Sequence, residues 1–166
     1  MLGNARIAER LLAVVVGVCY VFALGPLTVF AASLYLPAAQ AAYVRGWISA
    51  TQLSPVLYLT GDLVTALCVA IPFGVVLGLC VRSSLLSSVI VFMASAIVTH
   101  VVWVATVAFR GTAMLFPNER SLGPTEAVVS LMSHRNFWLY PLAVAAIAYF
   151  VWRWRGKPSS GMQSLP

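Results

Sequence analysis

The sequence predicts an all-α integral membrane protein of four transmembrane helices, with short interfacial helices in its two outer loops. Two observations predict it. Of 166 residues, 61% are hydrophobic and 8% charged, and the mean hydropathy is +0.95, whereas ordinary soluble domains carry roughly a quarter charged residues. The apolar residues also fall into four runs, near 11–36, 55–81, 85–109 and 137–153; the first three are long enough to cross a hydrocarbon core about 30 Å thick as helices, and the last is at the short end of the spanning range. Residues 1–10 then form a cytoplasmic N-terminus, 11–157 a single four-helix transmembrane domain, and 158–166 a flexible cytoplasmic tail rich in Ser, Gly and Pro.

Arg6, Glu9 and Arg10 precede the first run, the layout of a signal sequence or a signal anchor. Leu11 to Leu36 is longer than the core of a cleavable signal, about 7 to 15 residues, so a retained helix is expected. Gly25 and Pro26 in its middle predict a kink, because Pro26 lacks an amide hydrogen and Gly25 is flexible. From Pro37 to Leu53 the chain mixes Tyr43, Arg45, Trp47, Thr51 and Gln52 with small residues. That composition suits a short piece lying at headgroup level, where Tyr and Trp are favoured.

In the second run Asp62, Ala66, Ala70, Gly74 and Gly78 recur every fourth residue, in one row along a helix face. Small side chains in such a row let another helix approach closely, and the row ends in a GxxxG pair. Pro72 predicts a bend near Val69 to Phe73. Two starts fit the sequence. Ser54-Pro55 would place Asp62 about 10 Å along the helix, while Gly61-Asp62 would make the carboxylate an interfacial cap.

Arg82, Ser83 and Ser84 separate the second and third runs, and so short a connection predicts antiparallel neighbours. Counting back along such a hairpin sets Asp62 opposite Val102 to Ala105, with His100 about one turn deeper. Asp62 and His100 are therefore the candidate intramembrane polar pair, in which burial and mutual pairing act in opposite senses on each group's charge. Beyond Phe109 the segment Arg110 to Asn136 is polar, with PNERSLGP as a turn-rich centre and Pro124 placed to begin a helix. Over 124–134, Ala127, Val128, Leu131 and Met132 share one face, as in an amphipathic helix resting on the bilayer or the bundle. The last span is bounded by Phe137, Trp138 and Tyr140 at its start and Tyr149, Phe150, Trp152 and Trp154 at its end, the aromatic anchors of a membrane interface.

Arg6, Arg10, Arg82, Arg153, Arg155 and Lys157 lie on one side of this topology, and Arg45, Arg110, Arg120 and Arg135 on the other. The excess predicts that both termini are cytoplasmic; the expected location is a bacterial cytoplasmic (inner) membrane. The net charge of +6 is scattered between apolar blocks, which argues against nucleic acid as a partner. Cys19, Cys68 and Cys80 form no paired spacing, no metal or cofactor is expected, and no nucleophile elbow or phosphate loop appears. The expected function is a non-catalytic accessory, assembly or anchoring component of a membrane complex, and not an enzyme. Its expected partners are the lipid bilayer and another membrane protein or further copies of itself. The alternative is a small oligomeric transporter or channel with proton coupling through Asp62 and His100.

Overall fold

The computed structural model describes residues 2–82, 84–109 and 123–155. Five helices carry almost all of them: α1 (Leu2–Val44), α2 (Ala50–Cys80), α3 (Leu85–Phe109), α4 (Pro124–Ser133) and α5 (Arg135–Arg155). Four of these, α1, α2, α3 and α5, are long and apolar enough to cross a membrane. Residues 110–122, with most of the PNERSLGP turn, and the 158–166 tail lie outside the described residues.

Both outer-loop expectations for Pro37 to Leu53 need correction. No separate helix forms there: α1 continues through Pro26 and Pro37 to Val44, and α2 starts at Ala50, before either start read from the sequence. A proline inside a helix removes one donor, and a long apolar helix tolerates that loss when its neighbours support it. The turn between the two helices is a tight C-terminal cap. Gly46 takes a left-handed conformation, φ +73°, so that its N–H donates to the Tyr43 carbonyl and the Trp47 N–H to the Ala42 carbonyl. Ser49 then opens α2, its backbone N–H donating to Gln52 Oε1 at 3.0 Å.

The expected α2–α3 hairpin is also corrected. These helices barely touch; α2 packs on α5 and α1, and α3 packs on α1 and α4. A short connection brings two helix ends together but does not choose the faces that pack. That choice is made by close approach. A Cβ on Gly74 would stand 2.6 Å from Ile147 Cβ and 2.9 Å from the Val144 carbonyl, and one on Gly78 would stand 2.7 Å from the Ala148 carbonyl. The row that includes buried Ala66 and Ala70 is thus closed by α5 at its far end. Gly17 does the same for α1 against α3, where a Cβ would lie 2.9 Å from the Phe92 carbonyl. Tyr20 joins these contacts at the centre, its ring edge-on to Phe73 of α2 and Phe92 of α3 at 5.7 and 5.6 Å.

Space at the glycines separates two outcomes. Gly74→Ala is expected to lower stability by about 1–3 kcal/mol, because the new methyl meets backbone and a β-branched side chain. A Cβ on Gly25 meets nothing within 4 Å, so Gly25→Ala is expected to raise stability by about 0.5–1 kcal/mol through reduced chain entropy. Reversible unfolding of both variants in detergent micelles checks the contrast.

Candidate functional site

Asp62 lies about 18 Å into α2, three turns beyond its start, and is neither a cap nor partnered by His100. Its carboxylate is held from α5. The Arg135 guanidinium donates to Oδ2 in an ion pair, and Asn136 Nδ2 donates to Oδ1 at 3.0 Å. The Asp62 side chain is 20% exposed and that of Arg135 64%, so the pair lies at the surface of the bundle and its net worth is modest. The geometry explains both donors. α5 begins at Arg135 immediately after His134, the residue that closes α4, and its first two side chains fall at the level of Asp62. Trp138 Nε1 fixes this corner by donating to the Met132 carbonyl at 2.9 Å.

His100 turns elsewhere. Its ring lies 5.5 Å from Phe137 and 6.4 Å from Trp103, and among the described residues no hydrogen bond or ion pair joins it to Asp62. Together with His134, Asn136 and Tyr140 it lines a cavity of about 500 Å³, whose opposite wall is the Tyr20 to Thr28 stretch of α1, including Gly25 and Pro26. Pro26 and Gly25 therefore shape a cavity wall, while Pro72 lies within α2 on the stretch carrying Phe73 of the central aromatic contact. His134, the residue that closes α4, shares this cavity with His100.

The cavity is mostly aromatic and aliphatic, with one unsatisfied polar atom on its lining residues. Asn136 is oriented by its bond to Asp62, since only the amide nitrogen can donate to a carboxylate. Its Oδ1 is buried with no hydrogen-bond partner among the described residues. A buried acceptor left open in this way calls for a donor such as water or a bound N–H or O–H group. Among the described residues no carboxylate or thiol lines the cavity.

Sequence reasoning missed Arg135 and Asn136 as the partners of Asp62. The available signal was that both stand at the outer start of a helix, at the level of the one acid in α2. Arg155 was also missed. It closes the other end of the same helix pair by donating from Nη2 to the Val81 carbonyl at 3.0 Å and from Nη1 to that of Leu79. Compared with protein-family models, curated proteins and solved structures, the chain matches none.

Double-mutant cycles distinguish the two candidate partners of Asp62. Asp62→Asn combined with Arg135→Gln is expected to show a coupling of about 0.5–1 kcal/mol in unfolding free energy. Asp62→Asn combined with His100→Leu is expected to be additive within about 0.5 kcal/mol.

Proposed function

We propose that the chain is a non-catalytic accessory, assembly or anchoring component of a membrane complex. In this reading it meets a protein partner through the helical hairpin formed by the end of α1 and the start of α2. The observation that carries the reading is the excess of helix length over bilayer thickness. α1 has 43 residues and is about 64 Å long, roughly twice a hydrocarbon core. Charged groups mark two levels on the bundle: Arg10, Arg82 and Arg155 at one end, Asp62 and Arg135 at the other. The stretch of α2 from Asp62 to Cys80 is about 27 Å long, close to the thickness of that core.

A bilayer seated between these levels leaves residues 50–61 of α2 and roughly the last dozen of α1 outside it. The hairpin holds together there through the Tyr35 ring, which lies against Gly61. It bares Val44, Trp47, Tyr58 and Leu59. Large apolar side chains clustered outside hydrocarbon fit a protein surface better than water. α4 then lies along the interface at the level of Asp62. Both termini are on the cytoplasmic side of a bacterial inner membrane, and the hairpin is on the other. Asp62 serves the fold in this account, since both its oxygens are taken by α5.

Affinity purification from mild detergent tests the proposal when the intact chain is compared with a Trp47→Ser, Tyr58→Ser, Leu59→Ser variant. The intact chain is expected to retain a stoichiometric membrane-protein partner, and the variant to accumulate normally but lose that partner by at least about tenfold. A lone homo-oligomer that moves solute across reconstituted vesicles would replace this reading with the proton-coupled transporter.

A further inference from the structure

The end of the bundle opposite Asp62 holds a polar cleft of about 310 Å³ between α1 and the start of α3, lined by Arg6, Glu9, Arg10, Ser84, Ser87 and Ser88. We infer that this cleft binds a phosphate group, that of an anionic phospholipid headgroup. Arg6 and Arg10 are four residues apart, hence on one face of α1. Arg10 Nε donates to Ser87 Oγ at 3.2 Å, which turns the guanidinium toward α3. Its terminal nitrogens, and all of those of Arg6, have no partner among the described residues.

Ser88 supplies an independent observation. It is 2% exposed, it lines the cleft, and among the described residues its hydroxyl makes no hydrogen bond. A hydroxyl on the wall of a cleft that two arginines also line is suited to a shared acceptor such as a phosphate oxygen. The start of α3 adds the positive end of a helix dipole. Among the described residues Glu9 is the one anion lining the cleft, and it is engaged: one of its oxygens accepts from the Arg82 backbone N–H at 2.9 Å. Two guanidinium groups against one carboxylate leave the lining positive.

The depth of the cleft favours a lipid over a soluble ion. It sits where the apolar runs of α1 and α3 begin, at Leu11 and Leu85, which is headgroup level for a spanning bundle. An apolar groove of about 470 Å³ starts at the same Ser84 and runs past Leu86, Val89, Tyr149 and Trp152, giving an acyl chain a place beside the bound headgroup.

Native mass spectrometry of the full chain, released from vesicles of equal phosphatidylglycerol and phosphatidylcholine, tests the inference. Phosphatidylglycerol is expected to be retained preferentially. Arg6→Gln with Arg10→Gln is expected to weaken its retention about thirtyfold, and Arg153→Gln with Lys157→Gln, which removes equal charge, by about twofold at most. Ser88→Ala leaves both arginines in place and is expected to weaken retention about fivefold, so the inference is tested even if the arginine variant fails to fold. Equal retention of the two lipids by the intact chain, or equal losses in the two charge variants, would overturn the site. Binding of inorganic phosphate through Arg6 and Arg10 without lipid retention would overturn the lipid source.

Discussion

Everything else in the bundle depends on how α5 is fastened to α2. Arg135 and Asn136 grip Asp62 at one end of α5, and Arg155 reaches the Leu79 and Val81 carbonyls at the other. The last interaction places a cation on carbonyls at the end of a helix, where helix dipole and unpaired acceptors both favour it. Between the two fastenings Gly74 and Gly78 let the α5 backbone approach so closely that no Cβ fits. Within hydrocarbon, where burial of apolar groups drives helix association little, such dense contact is a main source of stability. The polar ends set the register that brings the glycines opposite Val144, Ile147 and Val151.

With α5 on one side of α2, α3 is left to α1. Gly17 admits the Phe92 carbonyl, and Tyr20 fills the centre against Phe73 and Phe92. The cavity beside Gly25 and Pro26 lies between the same elements, with the Tyr20 to Thr28 stretch of α1 as one wall and His100 of α3, in ring contact with Phe137 of α5, on the other.

Much of this was legible in the sequence, for a simple reason: hydropathy reports which segments must hide their backbone from lipid, and that requirement is local. Four helices long and apolar enough to span follow from it. The small-residue row was visible because its spacing matches the helix repeat. Which helix would meet the row was not, because the residue facing a glycine is identified only by three-dimensional packing. The pairing of Asp62 with His100 failed at this step. It rested on α2 and α3 being neighbours along their whole length, whereas the turn at Val81 to Ser84 joins only their ends. From sequence Arg135 is a loop charge; its role depends on α5 lying against α2. Pro37 marks a boundary in the sequence, yet a helix supported along its side can lose one donor and continue.

The central claim is that α2 pairs with α5 rather than with α3, its neighbour in sequence. Disulfide trapping tests it most directly, in a chain whose Cys19, Cys68 and Cys80 are replaced by serine. In Gly74→Cys with Ile147→Cys the new Cβ would start 2.6 Å from the facing one, so the two helices must part by about 1 Å to reach the roughly 3.5–4.5 Å of a disulfide. Oxidation in the membrane, read by mass spectrometry of the digested protein, is expected to join these positions. The pair Asp62→Cys with Val102→Cys is expected to remain free. Efficient trapping of 62 with 102, and none of 74 with 147, would contradict the account.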